Sequence, residues 1–492
     1  MIQPVAVPNA MTRVHDALVF YCNGERVVVS GDQANLTLAQ WLRHERHLVG
    51  TKIVCNEGDC GACSVLLGKP DESQSGLTYR TIDSCIAFLF QLNRTHVVTV
   101  EGLSVDGMLS PIQDAMVHCH GSQCGFCTPG FVATMHGMAE SNQPFDPSSL
   151  RYGLSGNLCR CTGYVQIIEA GMSVDAAKVA KLAELYPDAD MLKEFRSLGD
   201  APTCVTTLPG HRIEIPTSME QAIRLRAERP RSTIVSGATD YGVSHNHGRT
   251  EPGDILCLSS VESHRDVFIE DGNLIIGALA SWVDIERFTK TALPSYHAIL
   301  KRFGSPQIRQ MGTLGGNIAS GSPIADSVPA HLVLDSKIEL ASVRGTRVVA
   351  MNDFYVGYRQ TVIQPDELIT RVITPLPTDD ERLTLYKISK RPDMDISTLT
   401  FAIWSRVESH SITAARIAVG GVGPTVMRMP AAEEFMIGKP WCDATFREAA
   451  RIARGAVSPW TDVRGGRDYR VALTENLVVK SFHENNPVDT AP

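Results

Sequence analysis

Residues 54–67 read VCNEGDCGACSVLL. Cys55, Cys60 and Cys63 stand there in C-x4-C-x2-C spacing, and Cys85 follows in the segment DSC. In that spacing four thiolates hold two irons and two sulfides. Gly58 and Gly61, lying between the ligands, let the loop wrap tightly, so that backbone N–H groups approach the sulfurs. Zinc sites also use C-x2-C pairs. Zinc loops, however, do not usually combine this longer spacing with glycines between the ligands. The segment predicts a [2Fe-2S] centre.

The flanking residues predict a small α+β unit around that loop. Residues 17–30 (ALVFYCNGERVVVS) read as a β-hairpin, because Asn23-Gly24 tolerates positive φ at both turn positions. Residues 36–46 (LTLAQWLRHER) read as an amphipathic helix with Leu38, Trp41 and Leu42 on one face. SVLLG and, later, HVVTVEG read as strands.

A second cysteine set follows in different surroundings. Cys124 and Cys127 form C-x2-C in QCGFCTPG, and Cys159 and Cys161 form C-x-C in NLCRCTGY. Residues 111–141 and 146–180 have helical spacing. Thr128-Pro129 and Asp146-Pro147 each place a capping side chain before a proline at the first helical position. Each cysteine pair leads into a helix, whose N-terminal partial charge and N–H groups suit an anionic tetrathiolate cluster. Alone, this set is open between zinc and iron–sulfur; beside the first it reads as a second [2Fe-2S] centre. Cys22 and Cys119 fit neither pattern and read as buried free thiols.

Size and composition agree with metal rather than disulfide use. The chain has 492 residues and 13 cysteines, ten of them before residue 162. A disulfide framework belongs to short secreted chains, whereas local density in a long one points to metal. The net charge of -8 excludes a general nucleic-acid binder. No apolar run reaches the roughly 18 residues of a spanning helix, so no membrane association is expected. The opening MIQPVAVPNAMTRVHDALVFYCNG lacks the pattern of a signal peptide. With eight thiolate ligands, this predicts a cytoplasmic protein.

Five segments are expected: a ferredoxin-type unit at 15–100, a helical unit at 101–180, a linker at 181–205, a mixed α/β unit at 206–382 and a final unit at 383–485. PTSMEQAIRLRAERP reads as a helix opened by Pro216 and Thr217. In the α/β unit two glycine-containing loops stand out. IVSGATDYG (234–242) follows a strand and offers Gly237, Ala238, Thr239 and Asp240. GTLGGNIASGSPIAD (312–326) offers Gly315 and Gly316 with Thr313, Asn317, Ser320 and Ser322. Small residues let backbone approach a pyrophosphate, and hydroxyls and N–H groups satisfy its oxygens. Neither loop is G-x-G-x-x-G, so this is not a Rossmann fold. Taken alone, ordinary turns explain both loops equally well.

GTKIVCNEGDCGAC (50–63) together with QCGFCTPG and SGNLCRCTGY resembles the iron–sulfur part of the molybdenum hydroxylases, the xanthine dehydrogenase and aldehyde oxidase family. The resemblance continues through the flavin region. It implies a multidomain α+β chain with four parts: a β-grasp ferredoxin-like [2Fe-2S] domain, a helical-bundle [2Fe-2S] domain, an α/β FAD-binding domain of the molybdopterin dehydrogenase type and a C-terminal α+β flavoprotein domain. It implies that Ile234, Val235, Ser236, Gly237, Ala238, Thr239, Asp240 and Tyr241 contact FAD. Thr313, Leu314, Gly315, Gly316, Asn317 and Asp326 do so as well. Phe303 and Ile369 fall against the isoalloxazine ring, and Lys387 falls where a basic side chain meets the cofactor. Core packing for the first two and solvation for the lysine are the plainer readings.

The resemblance further implies that electrons run from molybdenum to the cluster on Cys124, Cys127, Cys159 and Cys161. From there they pass to the cluster on Cys55, Cys60, Cys63 and Cys85, then to FAD, with NAD⁺ as acceptor. No molybdopterin domain is expected before Pro492, so the partner is a molybdopterin-binding large subunit, in a heterotetramer or larger assembly. No side chain of this chain is expected to act as catalytic acid or base. The expected reaction is oxidation of xanthine or hypoxanthine to urate. Alternatives are an aldehyde or nitrogen-heterocycle dehydrogenase subunit, a free-standing NADH diaphorase and a zinc-stabilised scaffold.

Overall fold

The computed structural model describes residues 14–71, 73–104, 107–208 and 210–485. Residues 1–13 of the opening segment, read above for a signal peptide, lie outside them.

The first sheet has strand order Glu25–Val29, Leu18–Cys22, His96–Val98, Ser64–Pro70, Leu77–Asp83. Leu18–Cys22 pairs with His96–Val98 in parallel, and every other pair is antiparallel. The hairpin turn has φ of +49° at Asn23 and +81° at Gly24, the two positive values a two-residue turn of this type needs. The helix Leu38–His44 crosses this sheet and buries Leu38, Ala39, Trp41 and Leu42. Thr37 and Gln40 cap it reciprocally.

The helical unit consists of Pro111–His118, Thr128–Glu140, Pro147–Gly153 and Val165–Ser173. The two long helical stretches read from spacing are therefore each interrupted, and both breaks carry cysteines. Asp146 caps its helix by accepting from the N–H groups of Ser148 and Ser149. Thr128 does not cap: Cys127 is the capping position, and the Thr128 hydroxyl bonds Ser122 instead.

The segment expected to be a linker is docked. Its helix Ala189–Ser197 buries Met191, Leu192 and Phe195 against Tyr21 and Tyr186. Glu194 accepts from Tyr21 and pairs with Arg26, each at 2.7 Å. Three apolar residues suffice here because the hairpin supplies the other half of the contact.

The next unit has two sheets. One runs Thr203–Thr206, Arg212–Ile215, Ile255–Cys257, Thr233–Val235. The other runs Val267–Glu270, Asn273–Gly277, Leu368–Pro375, Lys337–Ser342, Gly345–Ala350. The helix expected from Pro216 starts later, at Met219, with Ser218 as its cap. The last unit is an antiparallel sheet, Glu381–Ile388, Leu399–Glu408, Ser411–Gly420 and Met427–Arg428. It is covered by helices Pro430–Met436, Asp443–Gly455 and Arg467–Asn485.

The cores cross the unit boundaries. Phe20, Trp41 and Phe88 of the first unit share one apolar cluster with Val205, Ile213 and Val235. Ala402, Trp404 and Ala418 of the last unit share another with Ile276 and Leu340. Such shared burial leaves little freedom for one unit to rotate against the next.

Candidate functional site: two cysteine loops beside a glycine-lined cavity

The loop between helix Leu38–His44 and strand Ser64–Pro70 brings Cys55, Cys60 and Cys63 together, and Cys85 follows strand Leu77–Asp83. The Cys55 side chain is hydrogen-bonded to those of Cys60 and Cys85, and Cys63 to Cys85. The N–H groups of Glu57 and Asp59 both point at Cys55 Sγ, at 3.4 Å. Gly61 has φ +65°. A Cβ there would lie 2.4 Å from the Gly156 carbonyl oxygen, so only glycine fits. Beneath the loop Asp83 accepts from Cys63 and Ser64. Burial, then the nearby Cys55, push its carboxyl up to about 7.

In the second set Cys124 meets Cys161, and Cys127 meets Cys159. Cys127 sits directly at the start of helix Thr128–Glu140. Cys161 reaches its helix through Tyr164, at φ +71°. Among the described residues no group of three or more His, Cys, Asp or Glu side chains is arranged to hold a metal ion. The first set's four thiols form one connected group and the second set's meet as two pairs, and either arrangement offers the four thiolates that a two-iron core takes. The residues fit that group. Cys22 is buried, and burial pushes its thiol up to about 12. Cys119 is half-buried, with its Sγ 3.8 Å from the Ser173 hydroxyl.

The two loops touch. The Leu158 N–H donates to the Cys60 carbonyl at 2.9 Å, and Asn157 Nδ2 to the Gly61 carbonyl at 3.1 Å. A Cβ on Gly130 would lie 2.1 Å from the Gly61 oxygen, so the second set's helix starts against the first set's loop.

On the other side of the first set lies helix Pro306–Met311. Its Gln307 donates to Ser64 Oγ at 3.2 Å and to Asn157 Oδ1 at 3.0 Å. Its Ile308 packs with Cys63, Cys85 and Ile86. Ile308 also lines a cavity of about 1090 Å³. Sequence reading missed this helix, because its role comes from three partners distant in the chain.

All the residues expected to hold FAD line that cavity except Leu314. The Leu314 side chain is fully buried in the core, and its N–H donates to the Ala280 carbonyl. Two further expectations need correcting. GTLGGNIASGSPIAD is not a loop throughout: Leu314–Ser320 is a helix capped by Thr313. Its first N–H groups are engaged, Gly315 with Ala278, Gly316 with Thr313 Oγ1 and Asn317 with the Thr313 carbonyl. In the other segment the N–H groups of Gly237, Ala238, Thr239 and Asp240 make no protein hydrogen bond among the described residues. Ala238 holds φ +59° there. A run of unengaged N–H groups turned by a left-handed residue suits a pyrophosphate.

Lys387 is neither solvated nor free. Its side chain is 2% exposed and lies 2.5 Å from Asp326, which also accepts from Ser397. Phe303 packs on Trp282 with ring centroids 4.5 Å apart. Ile369 is buried and lines the cavity. The C-terminal unit contributes Met394–Ser397, Gly421, Trp460 and Arg464 to the lining. Nothing in the local pattern of those residues marked them.

Comparison with known proteins follows the same order along the chain. Residues 20–89 match the 2Fe-2S iron-sulfur cluster binding domain, and 99–172 the [2Fe-2S] binding domain. Residues 210–377 match the FAD binding domain in molybdopterin dehydrogenase, and 384–485 the CO dehydrogenase flavoprotein C-terminal domain. Xanthine dehydrogenase of Drosophila pseudoobscura pseudoobscura is 28% identical, over 94% of this chain and 39% of its own length. Xanthine dehydrogenase/oxidase of Gallus gallus is 27% identical, over 95% of this chain and 40% of its own length.

The four matched domains follow one another over most of the chain, from residue 20 to residue 485. It carries two [2Fe-2S] domains and an FAD-binding domain of the molybdopterin dehydrogenase type. It spans about two-fifths of the curated relatives it matches. Among solved structures, carbon monoxide dehydrogenase from Hydrogenophaga pseudoflava is similar, with a TM-score of 0.52 and 24% identity. The match covers 55% of this chain and 94% of that one. Quinoline 2-oxidoreductase from Pseudomonas putida 86 gives 0.51 and 24%, over 55% and 94%. These two support the fold alone. Among the described residues no helix is long and apolar enough to cross a membrane.

Proposed function

We propose that this chain is the electron-exit part of a xanthine dehydrogenase, carrying electrons from a molybdopterin-binding partner to NAD⁺ through two [2Fe-2S] clusters and FAD. The observation that carries the reading is spatial order. The second cysteine set abuts the first through Leu158 and Cys60, and the first abuts the cavity through Ile308.

In this reading Cys124, Cys127, Cys159 and Cys161 hold the cluster nearer the partner, and Cys55, Cys60, Cys63 and Cys85 hold the one nearer the flavin. Clusters supply one-electron steps, and the flavin joins these to hydride transfer. The protein's own work is to bind and space these groups. Gly237 to Asp240 offer N–H groups to the pyrophosphate, Lys387 stays paired with Asp326, and Phe303 and Ile369 form an apolar wall. Around the second set Val117, Phe126, Val165 and Met172 are exposed. An apolar patch of that kind on a soluble surface marks a docking face, here for the molybdopterin partner. A cytoplasmic location accords with eight thiolate ligands.

The test is to assay the natively purified complex for xanthine-driven reduction of NAD⁺. Urate and NADH formed together support the reading. Oxidation of an aldehyde or a nitrogen heterocycle, but not of xanthine, moves the chain to another substrate class.

A further inference from the structure

Tyr152 stands on helix Pro147–Gly153 of the helical iron–sulfur unit, yet its side chain makes its polar contacts in the flavin unit. Its hydroxyl donates to Glu286 Oε1 at 2.7 Å and accepts from Arg309 Nη2 at 2.9 Å. Arg309 also pairs with Glu286 at 3.0 Å, with side-chain exposures of 3% and 13%. The other arm of Arg309, Nη1, donates to three carbonyls: Lys301 at 3.3 Å, Phe303 at 3.2 Å and Gly304 at 3.1 Å. Those carbonyls form the turn that presents Phe303 to the cavity. Lys301 and Arg309 both stack over the Tyr152 ring, at 5.1 and 5.3 Å.

We propose that Tyr152, Glu286 and Arg309 form a positioning clamp through which the helical iron–sulfur unit fixes the Phe303 wall of the flavin cavity. A guanidinium buried this deeply holds its place only while its charge and hydrogen bonds are met. Glu286 supplies the charge, and Tyr152 supplies one of the bonds from another unit. Arg309 Nε is met only by the charge of Glu286 and makes no hydrogen bond, so loss of that hydroxyl leaves a second guanidinium nitrogen unmet and frees the three-carbonyl turn. Phe303 then no longer keeps a fixed distance from the ring, and apolar shielding is one of the protein's levers on a cofactor's potential. The clamp rests on the reading that Phe303 faces the flavin.

The experiment uses the full chain with clusters and FAD bound, comparing Tyr152→Phe with Phe303→Leu. Tyr152→Phe keeps the ring beneath the two cations and removes only the hydroxyl. Iron and FAD content establish that each variant is folded and loaded. The readout is the midpoint potential of the bound flavin, with the EPR signals of both clusters as internal reference. The expected result is a shifted flavin potential in Phe303→Leu and a smaller shift in the same direction in Tyr152→Phe, with cluster signals unchanged. A wild-type flavin potential in Tyr152→Phe, while Phe303→Leu moves it, overturns the clamp alone. No shift in either variant with FAD bound overturns the placement of Phe303, and the clamp with it. If Tyr152→Phe does not load, Arg309→Lys takes its place under the same criteria, because it keeps the charge toward Glu286 and loses the three-carbonyl grip.

Discussion

His331 is fully enclosed, with its ring nitrogens near Tyr296, Ser336 and Thr374 at 3.1 Å. Burial lowers its pKa to about 4. In the unfolded chain the same ring takes a proton near 6.5. Between those values the unfolded chain binds a proton that the folded chain refuses, so stability falls as pH drops from about 6.5 toward about 4. A shift of that size is on the order of 3 kcal/mol over the window. Burial holds His96 and His136 down to about 4 as well. His331→Gln is therefore expected to be less stable near neutrality but to lose less on acidification. Urea midpoints at several pH values check this, and parallel curves for variant and wild type contradict it. None of these environments was legible in the sequence. Each depends on residues far off in the chain, as the Lys387–Asp326 pair does. The two cysteine sets were legible because their spacing marks them along the chain.

The segment Ser236–Asp240 lines the cavity, and its composition shows how much of a short element a sequence reveals. Its small residues marked it, whereas the turn at Ala238 and the unengaged N–H groups emerge only in three dimensions. Gly237 is where the requirement is strictest. A Cβ there would lie 2.0 Å from the Met311 carbonyl oxygen, which is backbone and has no rotamer with which to retreat. Gly237→Ala is expected to push this segment off helix Pro306–Met311 and to weaken FAD binding by tenfold or more, about 1.4 kcal/mol, with both clusters retained. Flavin and iron content after dialysis measure it; full flavin occupancy in the variant contradicts it. The segment around Gly315 was misread as loop for a related reason. Two adjacent glycines signal a turn, yet here Gly315 lets a helix pack against Ala278, from which a Cβ on Gly315 would lie only 2.8 Å. Helix Ala189–Ser197 was underrated because its apolar face is completed by the hairpin it covers.

For the whole molecule, the order of units along the chain was legible, and their mutual packing was not. Composition and motifs locate each unit, but no local pattern announces that Phe20 and Val235 share a core, or Ala402 and Ile276. This sharing predicts one cooperative unfolding. The visible circular dichroism of the clusters and the release of FAD fluorescence are expected to change at the same temperature, and two separated transitions contradict that. It also gives the proposed electron path a rigid frame, with the cavity, helix Pro306–Met311, the first cysteine set and the second set in fixed sequence. In the proposed function, one chain holds two clusters and a flavin in that frame, beside a molybdenum partner. The most direct measurement is the iron, sulfide, flavin and molybdenum content of the natively purified protein with everything that co-purifies. The account predicts about four irons, as two [2Fe-2S] clusters, and about one FAD for each copy of this chain, with molybdenum on a larger companion. Zinc without flavin, or iron and flavin with no molybdenum companion, would contradict it.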